Sequence, residues 1–209
     1  MKLNYPCLAL CLVLGTLPLF GAQKKGAPSR EADKDCAWTK MTDEKLGLDA
    51  WVEKCDYGFR KIDFTVVGNS LAIRFSDGGG KPDPLVDVLP LEGDESPEAG
   101  IKRVFAAKTD KAVAARCELR PFKGEPRPPL GVKRYSFVPD KKYQAELDKT
   151  SSPDEVGDPP CGDYGDAPDG IQYFEAQPDS GARKVLFVRV GQDVPLFDEQ
   201  TLKLLPPKT

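Results

Sequence analysis

The chain has 209 residues, with 30 lysines and arginines against 33 aspartates and glutamates, a net charge of −3 and no histidine. The two signs are interspersed without a basic block, so neither nucleic-acid binding nor a polybasic membrane patch has electrostatic support. The missing histidine excludes Ser-His-Asp and Cys-His catalysis, histidine-ligated zinc and histidine proton shuttling.

Lys2 gives a positive start, and Leu8 to Phe20 is apolar apart from Gly15, Thr16 and Pro18. Small residues follow at Gly21 and Ala22, then Lys24 and Lys25. This is the pattern of a secretory signal peptide over residues 1–22, too short and broken to span a bilayer. Cys7 follows Pro6 and Cys11 follows Leu10, so neither has the small residue that precedes a lipid-modified cysteine. No second long apolar run follows. The expectation is therefore an exported protein, periplasmic or secreted, with no membrane span after cleavage.

Of the 6 cysteines, Cys36, Cys55, Cys117 and Cys161 lie beyond the signal. An even set in an exported chain reads as two disulfides, and a metal site lacks CxxC spacing. Residues 23–35 are polar, contain Pro28 and show no apolar periodicity, which reads as a disordered leader.

Order is expected from Cys36. Thr42 reads as an N-cap with Asp43 and Glu44 in a first helical turn, and Leu48, Trp51, Val52 and Cys55 share one helical face. Trp38 and Trp51 are expected in the core. Lys61 to Val67 and Ser70 to Ser76 flank Gly68-Asn69 and alternate, predicting a hairpin with one buried face. Leu85 to Leu89 predicts a third strand. Ser96-Pro97-Glu98 is a helix start, continued by Ile101, Val104 and Phe105.

Ala112 to Leu119 reads as extended. Pro121 to Pro129 reads as a loop or extended linker, and Tyr135, Phe137 and Val138 as a strand. Asp140 caps a helix carrying Tyr143 and Leu147. Thr150 to Pro160 is a long loop. Ile171 to Ala176 and Lys184 to Val190 form a second hairpin, and residues 198–202 a short helical turn.

A grammar recurs along this order. Cys55-Asp56-Tyr57-Gly58, a hairpin and Pro84-Leu85-Val86-Asp87 match Cys161-Gly162-Asp163-Tyr164-Gly165, a hairpin and Pro195-Leu196-Phe197-Asp198. The pattern predicts an α+β fold of antiparallel hairpins with packed short helices. Two tandem units, residues 36–111 and 112–209, would share a sheet. Duplication favours the pairings Cys36–Cys55 and Cys117–Cys161.

The chemistry left to such a chain is that of carboxylates and contacts. Asp163, Asp166 and Asp169 recur every three residues in a Gly-rich loop. They read as local turn-formers or as hard oxygen ligands for Ca²⁺, although the spacing is not that of an EF-hand. With Asp87 and Asp198, they are also the candidate acid–base carboxylates. Tyr57 and Tyr164 read either as paired contact residues or as rings closing each hairpin core. No cofactor and no metal are expected. Two functions fit: an exported bacterial protein of non-enzymatic type that binds another protein, as an inhibitor, immunity protein or accessory factor, and a carboxylate-dependent hydrolase of envelope polysaccharide.

Overall fold

The computed structural model describes residues 27–29, 31–76, 80–122, 131–150, 161–162, 171–190 and 197–207. The signal segment 1–22, Asp163, Tyr164, Asp166, Asp169, Pro195 and Leu196 lie outside the described residues. Ten strands form one antiparallel sheet: β1 (Cys36–Asp43), β2 (Leu48–Asp56), β3 (Lys61–Val67), β4 (Ser70–Phe75), β5 (Asp83–Pro90), β6 (Cys117–Pro121), β7 (Lys133–Pro139), β8 (Ile171–Ala176), β9 (Lys184–Val190) and β10 (Lys203–Leu204). The spatial order is β1-β2-β3-β4-β5-β9-β8-β7-β6, with β10 paired to β2. The helices are α1 (Pro97–Lys108), α2 (Lys111–Ala114) and α3 (Lys141–Thr150).

The largest difference from expectation is at residues 42–55. No helix forms there; β1 and β2 make a hairpin in register from Cys36↔Cys55 to Asp43↔Leu48. Leu48, Trp51, Val52 and Cys55 satisfy a helical spacing, but Leu48, Ala50 and Val52 also alternate, and those three are buried. Their partners are Val86 and Val88 of β5, Leu186 and Val188 of β9, and Tyr173 of β8. Fully burying a Leu or Val is worth about 1.5–3 kcal/mol, against helix-propensity differences of a few tenths per residue, so the strand wins. Gly47 takes φ of 68° in the connecting turn, a conformation glycine adopts without a steric penalty. Trp38 and Trp51 are half-buried rather than central.

The expected extended stretch at Ala112 is also corrected: α2 occupies its start, with Asp110 Oδ1 accepting the N–H groups of Ala112 and Val113, and β6 begins only at Cys117. Elsewhere local chemistry is followed. Ile62, Phe64 and Val66 face Phe75, Ile73 and Leu71 across the β3–β4 hairpin. Ser96 Oγ accepts the Ala99 N–H at 3.2 Å at the head of α1. Asp140 Oδ1 accepts the Tyr143 N–H at 2.7 Å at the head of α3.

Face A of the sheet, carrying Val86, Val88, Tyr173, Leu186 and Val188, is covered by the curled β1–β2 ribbon and the C-terminal residues Phe197, Leu202 and Leu204. Face B, carrying Phe174, Ala176, Val185 and Phe187, is covered by Ile101 and Phe105 of α1. Disulfides join Cys36 to Cys55 and Cys117 to Cys161. In the first, the register makes Cys36 and Cys55 direct cross-strand partners, with Cα atoms 4.0 Å apart. It is a non-hydrogen-bonded pair, the kind that brings side chains closest.

The two aspartates of the Pro-Leu-apolar-Asp stretches have different settings. Asp87 lies inside β5, where it accepts Ser70 Oγ at 2.6 Å and Arg189 Nη2 at 2.7 Å. Asp198 follows Phe197, which only bridges to Val52, and binds Ser29 through its N–H and Oγ at 2.6 Å each. Ser29 and Asp33, in the stretch read as a disordered leader, are thus tied to the domain; the Asp33 N–H donates to Glu53 Oε1 at 2.8 Å.

Candidate interaction surface

The turn between β2 and β3 is the one place where the described chain displays a large aromatic ring to solvent. Phe59 is 83% exposed. Three features hold its turn. The Tyr57 N–H donates to the Arg60 carbonyl at 3.0 Å. Asp56 Oδ1 accepts the Gly58 N–H at 3.0 Å, and Gly58 takes φ of 79°. Lys61 Nζ lies 2.7 Å from Asp56 Oδ2. The Lys61 ammonium holds the Asp56 carboxyl below the usual carboxylate range, so this exposed pair stays charged.

Around Phe59 the neighbouring side chains make a small platform. The Tyr57 ring stacks at 6.4 Å from it, and the Tyr57 hydroxyl donates to Cys36 Sγ at 3.5 Å. The Arg60 guanidinium lies 3.9 Å from the centre of the Phe75 ring. Beneath them, Cys55, Ile62 and Ile73 form a separate small core with Cys36, Tyr57, Phe64 and Phe75 packed on it. The Tyr57 hydroxyl is anchored at the disulfide rather than at backbone, and its half-buried ring packs on the small core beside Phe59. The sequence reading missed Phe59. The available signal was an aromatic residue inside a turn, in Asp56-Tyr57-Gly58-Phe59-Arg60, where no alternation explains it.

The carboxylates meet elsewhere. On face A, Arg134 Nε donates to Glu175 Oε2 at 3.1 Å, and Arg134 Nη1 lies 3.4 Å from Glu199 Oε2. The Tyr173 hydroxyl donates to Glu199 Oε2 at 2.8 Å. Gln177 Nε2 donates to Glu175 Oε1 at 2.7 Å and to the Leu202 carbonyl at 3.0 Å, while its Oε1 accepts the Leu204 N–H at 2.8 Å. The side chains of Arg134 and Glu175 are each 1% exposed. Burial pushes the Glu175 carboxyl above the usual range, against the hydrogen bonds of Gln177 and the charge of Arg134. Burial also raises the Tyr173 phenol.

This is a pair of carboxylates around one cation, with the Glu175 side chain 1% exposed and that of Glu199 15%. Each oxygen named is engaged, and the C-terminal strand closes over the network. Asp87 and Asp198 have different partners and do not converge. Among the described residues no group of three or more His, Cys, Asp or Glu side chains could hold a metal ion. No helix among them is long and apolar enough to cross a membrane.

No family model, curated protein or solved structure matches the chain. The two disulfides are of the kind that an oxidising, exported setting sustains.

Proposed function

We propose that this is an exported protein of non-enzymatic type that binds another protein through the β2–β3 turn, with Phe59 as the central contact and Tyr57, Arg60 and Phe75 around it. The supporting observation is the exposure of Phe59 on a turn fixed from three sides. An exposed Phe ring costs hydration free energy in the unbound state, and a rigid turn loses little entropy on binding. Tyr, Phe and Arg are the residue types enriched at interface centres. The bond of Tyr57 to Cys36 links the platform to the Cys36–Cys55 disulfide, so the contact is built on a rigid support.

The test places a photo-crosslinking residue at position 59 in the exporting cell, with Val67, 49% exposed, as the control position. A partner captured at 59 is identified by mass spectrometry, purified and titrated against the wild type and Phe59→Ala. A central aromatic contact is worth about 2 kcal/mol or more, so Phe59→Ala should weaken binding ~30-fold. Equal capture at 59 and 67, or equal affinity of Phe59→Ala, defeats the proposal.

A further inference from the structure

The sheet ends at β1 and β6, each with a strand neighbour on one side only among the described residues. On β6, the Phe122 N–H donates to the Arg134 carbonyl at 2.9 Å and the Asp140 N–H to the Arg116 carbonyl at 2.8 Å. These bonds fix the even-numbered residues as those whose backbone faces β7. In an antiparallel ladder the intervening residues then direct their backbone groups the other way. Cys117, Leu119 and Pro121 therefore turn theirs outward. Side chains alternate as well: Leu119 stands on face B with Phe105 and Phe137, while Glu118 and Arg120 stand together on face A.

We propose that β6 pairs antiparallel with the β6 of a second copy of this chain, centred on Leu119, to give a two-fold dimer with one continuous sheet. This goes beyond the partner binding assigned to the β2–β3 turn and uses the opposite end of the sheet. The charge pattern selects the partner and the register. With Leu119 opposite Leu119 of the second copy, each Glu118 faces an Arg120 in the closer, non-hydrogen-bonded positions. The two neighbouring registers that keep the outward backbone groups paired place Glu118 on Glu118 or Arg120 on Arg120, and like charges directly opposite are destabilising. Leu119 exchanges both backbone bonds with its counterpart, and the Cys117 N–H meets the Pro121 carbonyl at each end. Pro121 has no N–H, so pairing stops there.

The switch costs little. Glu118 and Arg120 now pair with each other within the strand, with side chains 49% and 48% exposed. Such exposed pairs contribute little, and exchanging this one for two cross-strand pairs conserves the charge contacts. The other edge has no comparable register. On β1 the Asp56 N–H donates to the Asp35 carbonyl, which turns Trp38, Lys40 and Thr42 outward. Self-pairing centred on Lys40 opposes it to itself, and centres at Thr39 or Trp38 bring Asp43 against Asp35 or Asp33 of the copy.

A five-residue edge makes a small, transient interface, so it is read at high protein concentration. Analytical ultracentrifugation of the mature chain should show a concentration-dependent dimer that weakens with salt. Glu118→Arg alone and Arg120→Glu alone should each weaken it at least about tenfold by opposing like charges. The double swap, and an equimolar mixture of the two single variants, should restore it, while circular dichroism stays unchanged in all. A wild type that is monomeric at every concentration overturns the proposal. So do single reversals that leave the dimer intact, and a double swap and mixture that both fail to restore it.

Discussion

Arg134→Met is the sharpest perturbation of the interior. The methionine fills much of the arginine's volume but leaves Glu175, 1% exposed, without its cation. Breaking a buried pair from one side costs about 3–5 kcal/mol, whereas replacing both partners by apolar groups is often neutral. Total stability for a domain is about 5–15 kcal/mol, so the single change removes a large share. Adding Glu175→Leu should recover most of the loss, because Gln177 keeps Leu202 and Leu204 and Tyr173 keeps Glu199. Urea unfolding of both single variants and the double gives the cycle. The pH dependence has a definite sign. Burial holds the Glu175 carboxyl above its reference value of 4.5, so in that window the folded state keeps a proton that the unfolded state has released. Its contribution is fully present below 4.5 and is lost as pH rises through the folded value. Glu175→Gln should remove that slope. An Arg134→Met cost under ~1 kcal/mol, or a double variant as unstable as the two singles added, would refute the reasoning.

Gly100→Ala, a change that ordinarily favours a helix by about 1 kcal/mol, should instead destabilise by ~1–3 kcal/mol. The new Cβ would overlap Leu91 Cδ2 and sit 3.0 Å from Glu95 Oε2, and thermal unfolding reads the sign directly. The Arg103 guanidinium, with the Glu92 N–H, holds the Glu95 carboxyl down to about 2. An NMR titration should find it ionised through mild acid, and Arg103→Gln should return it toward 4.5, the ordinary value.

What the sequence carried was local. Ser96-Pro97 and Asp140 announce α1 and α3 because a cap is a bond between near neighbours in the chain. Gly68-Asn69 announces β3–β4 with its register, because the turn is short and alternation is clean on both sides. The β1–β2 hairpin was not legible, since Leu48, Trp51, Val52 and Cys55 satisfy a helical period as well as they occupy a strand. What decides between the two is burial against Val86, Leu186 and Tyr173, which lie 34 or more positions away in the chain. The Arg134–Glu175 pair is separated by 41 residues and could not be read either. A charged residue at an alternating position reads as the solvent side until the register shows what lies above it.

The same long-range closure explains why the contacts proposed here fall on the rim. The halves on either side of residue 111 meet at β5–β9, five residue pairs in the middle of the sheet. The main core then draws Leu48, Val52, Val86 and Val88 from the first half and Tyr173, Leu186, Phe197 and Leu204 from the second. The main core is thus shared between the halves, while Cys55, Ile62 and Ile73 form a smaller core within the first. Closing the main core takes the C-terminal chain back across face A, where Gln177 substitutes for a strand neighbour by binding both the Leu202 carbonyl and the Leu204 N–H. Once closed, that core holds the Arg134–Glu175 pair with both side chains 1% exposed. Among the described residues, exposed aromatic surface lies at the β2–β3 turn, and β1 and β6 each have a strand neighbour on one side only. A desolvated ring in a pocket and a strand added to a strand are two general ways in which a protein surface holds a partner.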